Sequence, residues 1–130
     1  MSAEDKKRLV REFLEILHNG DVDGAMARAT ANPKLLIFNG EVPNGFQMLG
    51  GLVPSLFKSG PTREYTAQWV DGDTVISRIT IRGETQKGEQ YDNAYLIICW
   101  FEGDKISQMQ EYMDSAYANQ KFAFASQQQQ

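Results

Sequence analysis

The stretch that decides the fold runs Tyr91-Asp92-Asn93-Ala94-Tyr95-Leu96-Ile97-Ile98-Cys99-Trp100-Phe101, then Glu102-Gly103-Asp104-Lys105, then Ile106-Ser107-Gln108-Met109-Gln110-Glu111-Tyr112-Met113-Asp114. Its runs of aromatic and branched residues, parted by a short polar turn with a glycine, read as two long antiparallel strands. Side chains alternate between the two faces of a strand. Tyr91, Asn93, Tyr95, Ile97, Cys99 and Phe101 therefore share one face. Asp92, Ala94, Leu96, Ile98 and Trp100 share the other. On the second strand Ser107, Met109, Glu111 and Met113 stand together, opposite in sense to Gln108, Gln110, Tyr112 and Asp114.

The same two-residue period extends upstream. Arg63 to Val70 reads as a strand with Tyr65, Ala67 and Trp69 on one side, and Asp71-Gly72 as a tight turn. Thr74 to Arg82 reads as the next strand, with Val75, Ser77, Ile79 and Ile81 inward and Arg78 and Arg82 outward. A polar loop over Gly83–Gly88 joins it to the long hairpin.

Before Ser59-Gly60-Pro61, which reads as a break, the pattern is helical. Ser2 caps a helix ending near His18, with Gly20 after it and an apolar stripe of Leu9, Val10, Phe13, Leu14, Ile16 and Leu17. Asp21 caps a short second helix. Asn32-Pro33 reads as a stop before a strand over Lys34–Phe38, closed by Asn39-Gly40. A weaker helix follows over Phe46–Lys58, interrupted by Gly50-Gly51 and Pro54.

The order is thus α-α-β-α-β-β-β-β, an α+β class. It implies a curved antiparallel sheet packed on the N-terminal helices, a cone whose open end leaves a pocket. The 130 residues fit one domain over 1–120, followed by a flexible polar tail over 121–130 that ends in four glutamines.

Composition narrows the partners. The net charge of −4, without a basic run, argues against nucleic acid. No apolar stretch is long enough for a membrane span, and the polar, acidic start is not that of a signal peptide, so a cytoplasmic protein is expected. The single cysteine, Cys99, lies in an apolar run and reads as a buried thiol. The single histidine, His18, rules out a multi-histidine zinc site; at the end of the first helix it reads as a partner for the last carbonyls. A hydrophobic small molecule is the expected ligand.

Glu111 is the candidate for chemistry. It stands between Met109 and Met113, and on a concave face those neighbours would desolvate it and raise its pKa toward the range of a general acid or base. With a three-residue hairpin turn, Tyr95 lies opposite Glu111 and Asn93 one step further, so that a carboxyl, a phenol and an amide face one ligand. Tyr91 shares that face. Asn39, at the lip of the cone, is a turn residue or a ligand contact, and Trp69 is pocket wall or core.

These residues resemble a family. His18-Asn19-Gly20-Asp21-Val22-Asp23-Gly24-Ala25 is similar to the helix join of the nuclear-transport-factor-2-like superfamily. The hairpin through Phe101-Glu102-Gly103-Asp104-Lys105-Ile106 to Glu111-Tyr112-Met113-Asp114 resembles its SnoaL-like branch, with Gly-Asp for the usual Asp-Gly and Gln110 for the usual arginine. The resemblance implies the α+β cone, a homodimer through the outer sheet face, and acid–base chemistry in an apolar pocket without metal or organic cofactor. It places functional weight on Glu111, by its match to the phenazine-biosynthesis branch. Relative to ketosteroid isomerases, it puts Asn39 where their base stands and Phe13, which has no hydroxyl, where their helix-one tyrosine stands, so that particular chemistry is not implied.

Three readings follow. The first is a cofactor-free isomerase, lyase or cyclase with Glu111 as acid or base and Tyr95 and Asn93 polarising a substrate oxygen. The second is a non-catalytic binding protein for an apolar ligand. The third is a dimeric interaction domain whose working surface is Leu96, Ile98 and Trp100.

Overall fold

The computed structural model describes residues 1–122. Helix α1 spans Ala3–His18 and begins with a reciprocal cap. The Asp5 amide donates to Ser2 Oγ (3.1 Å), and the Ser2 amide donates to Asp5 Oδ2 (3.0 Å). Gly20, with φ +91°, turns the chain at its far end. Asp21 then caps α2, Val22–Met26, accepting from the Gly24 amide.

Six strands follow: β1 Ala29–Ile37, β2 Gly40–Glu41, β3 Phe57–Asp71, β4 Thr74–Thr85, β5 Gln90–Glu102 and β6 Lys105–Met113. Helix α3, Gly45–Leu56, sits between β2 and β3, and α4, Ser115–Phe122, closes the described chain. The sheet order is β2-β1-β6-β5-β4-β3. The α+β architecture and the element order are those read from the sequence.

The sheet is mixed rather than wholly antiparallel, because β1 runs parallel to β6. A parallel pair needs a long crossover, and here the chain from β2 to β5 supplies it. The same pairing overrides the stop expected at Asn32-Pro33. Both residues lie within β1, at a register shift between Ala29 and Lys34 that leaves Pro33 outside the ladder. Ser59-Gly60-Pro61 is absorbed in the same way: β3 already begins at Phe57, with register shifts on both sides of Ser59.

The core lies between α1 and the concave face. Val10, Phe13, Leu14 and Leu17 of α1 are fully buried against inward residues of the sheet such as Val75, Ile79, Ile97 and Cys99. Each such side chain contributes roughly 1.5–3 kcal/mol on burial. Phe13 also meets Phe46 of α3 edge to face, with centroids 5.8 Å apart. No helix among the described residues is long and apolar enough to cross a membrane.

Two bulges change what simple alternation predicts. In β3 the register shifts between Tyr65 and Ala67, and the Thr66 hydroxyl donates to the Arg78 carbonyl. Tyr65 therefore faces in, opposite Ile79, whereas Trp69 faces out and is 49% exposed, with Arg78 over its ring. In the β5–β6 hairpin the turn has two residues, Gly103 and Asp104, and the register shifts again between Trp100 and Phe101. Glu111 keeps its inward face but pairs with Ile97, and Tyr95 pairs with Met113.

Helix α4 and the two-residue strand β2 are the elements the sequence reading missed. Asp114 caps α4, its Oδ1 accepting from the Tyr117 amide at 3.0 Å. Of the tail expected over 121–130, Lys121 and Phe122 complete this helix, and the remainder lies outside the described residues.

Candidate active site

A cavity of about 450 Å³ opens between α3, α4 and the concave sheet. Its walls are apolar: Met48, Leu49, Leu52, Val53 and Leu56 from α3, Phe57, Ile81 and Met113 from the sheet, and Ala118 and Phe122 from α4. Phe38 stands at the rim, 38% exposed and with φ +55°, held there by the two-residue turn between β1 and β2. Few polar side chains enter this space: His18, Tyr95, Glu111, Ser115 and Asn119.

Glu111 is brought in by β6, whose Met109 is buried in the core and whose Met113 is in the cavity wall. Glu111 itself is only 4% exposed. Among the described residues nothing hydrogen-bonds to its carboxyl, and its oxygens open onto the cavity. Burial without a compensating donor pushes its pKa up to about 7. It thus exchanges a proton near neutrality, which an ordinary glutamate does not.

His18 does not meet the last carbonyls of α1. Its ring is buried in the cavity wall, and its Nδ1 lies 3.2 Å from Arg63 Nη1 of β3. Burial, and then the Arg63 charge, hold its pKa down to about 3, so the ring is neutral. The signal for this was in the sequence: His18 lies four residues after Leu14 and one after Leu17, on the apolar stripe that turns toward the sheet.

Tyr95 enters the cavity from β5, and its hydroxyl lies 2.7 Å from that of Tyr91. Burial drives the Tyr95 phenol well above its ordinary pKa, so it acts only as a neutral hydroxyl. Asn93 does not reach the cavity. Its Nδ2 donates to the Tyr91 hydroxyl at 2.8 Å and to the Asp114 carbonyl at 3.1 Å, tying β5 to the start of α4. Tyr91 is itself buried, stacked on Phe122 with centroids 4.6 Å apart.

Of the sequence candidates, then, Glu111, Tyr95 and Met113 meet at the cavity. Phe13, Tyr91 and Met109 lie in the core, and Asn93 is buried behind Tyr95. Asn39 is exposed in the β1–β2 turn, and Trp69 is on the outer face. Cys99 is buried, as its apolar surroundings predict, and burial drives its thiol pKa up. Among the described residues no group of three or more His, Cys, Asp or Glu could hold a metal ion.

No protein-family model matches the sequence, and no curated protein matches it. Solved structures do share the fold. AclR from Streptomyces galilaeus, assigned as a hydroxylase, superposes with a TM-score of 0.77 at 14% identity, over 94% of this chain and 98% of that one. A nuclear-transport-factor-2-like protein of unknown function from Burkholderia pseudomallei K96243 gives 0.76 at 16% identity, over 94% and 98%. A protein from Jannaschia sp. CCS1 assigned as a SnoaL-like polyketide cyclase gives 0.71 at 12% identity, over 95% and 96%. In fold, therefore, this chain is similar to nuclear-transport-factor-2-like proteins, a SnoaL-like one among them.

Proposed function

We propose that the protein is a cofactor-free acid–base enzyme that moves a proton on a hydrophobic, oxygen-bearing small molecule. Isomerisation, cyclisation, dehydration and hydration all fall within that chemistry. The observation that carries this reading is the buried, unpartnered Glu111 carboxyl opening onto an apolar cavity of about 450 Å³. A general acid or base works best when its pKa lies near the working pH, and burial has brought Glu111 to about 7. Tyr95 is the hydroxyl beside it that contacts the substrate. Asn93 acts at one remove, anchoring Tyr91, which in turn holds Tyr95.

In the simplest step the Glu111 carboxylate takes a proton from carbon next to a carbonyl. The C–H electron pair moves into the carbonyl group and leaves an enolate, and Glu111 then returns a proton to the same or a different carbon. Exchange of the α-hydrogens of 2-tetralone in deuterium oxide, followed by proton NMR, reads this step directly. The native protein should accelerate exchange over buffer, and Glu111→Gln should lower that acceleration by about 10²- to 10⁴-fold while binding persists. Equal exchange by both proteins would remove Glu111 from the mechanism. Binding of 2-tetralone without any acceleration would favour a carrier of apolar ligands instead.

We also propose that two copies pair through the outer face of β3, β4 and β5. No described helix covers it, and Trp69 and Leu96 are exposed there beside the part-exposed Ile98 and Trp100.

A further inference from the structure

The acid–base reading leaves three polar side chains of the cavity without a task, His18, Ser115 and Asn119, and the first is the chain's single histidine. Arg63 Nη1 lies 3.2 Å from His18 Nδ1. A guanidinium has only donors and keeps its charge, so Nδ1 is the acceptor in this contact. A neutral imidazole that accepts at Nδ1 carries its proton on Nε2. The ring is 3% exposed and lines the cavity. Nε2 has no protein partner among the described residues, yet it is not among the fully enclosed unpartnered atoms. Its N–H therefore opens onto the cavity. Arg63 forms no ion pair with a described residue, so its charge polarises the ring and strengthens the N–H as a donor.

We propose that His18 Nε2–H donates a hydrogen bond to a carbonyl oxygen of the bound molecule, and that Arg63 is the positioning residue that fixes the ring in this tautomer. The ligand class is then a carbonyl compound on an apolar frame. A donor at that oxygen also stabilises the negative charge that develops when a neighbouring carbon loses its proton to Glu111. That last role rests on the acid–base reading above; the recognition of the carbonyl does not. The charged group in contact with His18 is Arg63 from β3, and the titratable groups that line the cavity with it are Tyr95 from β5 and Glu111 from β6. Around the cavity α3 contributes apolar side chains, and α4 adds Ser115 and Asn119, both uncharged.

With one histidine, nitrogen-15 NMR of labelled protein reads this ring alone. Between pH 6 and 8 the pattern should be that of protonated Nε2 and bare Nδ1. A protonated Nδ1, or an imidazolium, over that range would overturn the assignment. Binding of 2-tetralone is then compared with that of tetralin, the same frame without the carbonyl. The ketone should bind about 5- to 10-fold tighter, the worth of one hydrogen bond, and only the ketone should shift the Nε2–H resonance. Arg63→Met should give a mixture of tautomers and narrow the gap. His18→Phe, its fold checked by circular dichroism, should close it; if that variant does not fold, the native and Arg63→Met results decide. Equal binding of the two compounds to the native protein, or a gap that survives in His18→Phe, would overturn the role of His18 and leave Glu111 untouched. Binding of neither compound would overturn the ligand class and the cavity reading together.

Discussion

Glu111 faces Ile97, and not Tyr95, across the β5–β6 ladder. The consequence is chemical. A tyrosine hydroxyl directly opposite would have donated to the carboxylate and held its pKa down. An isoleucine can only desolvate it, and the pKa rises to about 7. The two-residue turn at Gly103-Asp104 and the shift between Trp100 and Phe101 together set this register.

That carboxyl and His18 should shape stability against pH in opposite senses. Glu111 has a folded pKa of about 7 against an ordinary value of 4.5, so the unfolded chain gives up its proton first. Stability falls as pH rises from about 4.5 to 7, by on the order of 3 kcal/mol, and then levels off. His18 has a folded pKa of about 3 against 6.5, so its contribution is complete above 6.5 and is lost as pH falls toward 3. Between pH 4.5 and 6.5 the two slopes oppose each other. Urea titrations of Glu111→Gln should reveal the histidine slope, with stability rising up to pH 6.5, and should show a gain over the native protein at pH 8. Parallel native and variant curves across pH 4 to 8 would contradict the burial of Glu111.

Asn93 should matter for the fold and not for the chemistry. Asn93→Ala removes bonds to the Tyr91 hydroxyl and the Asp114 carbonyl, and should cost about 2–3 kcal/mol in denaturant unfolding. Exchange activity per folded molecule should fall far less than in Glu111→Gln. A loss as deep as that of Glu111→Gln, with the fold intact, would make Asn93 a substrate contact.

Tyr65 offers a stabilising change. Its hydroxyl is buried and has no hydrogen-bond partner among the described residues, and burial lifts its pKa to about 12. Tyr65→Phe removes that unpaired group and keeps the ring. Thermal unfolding should show equal or greater stability, by up to about 1 kcal/mol. A clear loss would mean that the hydroxyl has a partner in solution.

The outer face should govern association. Replacing Leu96 and Trp100 with Thr and Gln should convert a dimer into a monomer by light scattering while circular dichroism stays unchanged. A native protein that already runs as a monomer at tens of micromolar would dispose of the proposed pairing.

The sequence by itself determined the element order, the inward face of each long strand of the final hairpin, and the placing of Glu111 between two methionines on that face. Those features are local: they follow from side-chain period, capping residues and turn chemistry, which act over a few residues. It also held two signals that were legible but passed over, the Asp114 cap of α4 and the place of His18 on the apolar stripe of α1. Tertiary structure decided the rest. The parallel pairing of β1 with β6, the bulge that turns Trp69 out, and the two-residue offset that sets Glu111 against Ile97 all depend on partners distant in the chain. So does the contact of Arg63 with His18, 45 positions apart, which gives a helix-end histidine its tautomer and its opening onto the cavity. A strand's own pattern selects a face, but only its partner selects the register, and the register decides which groups meet.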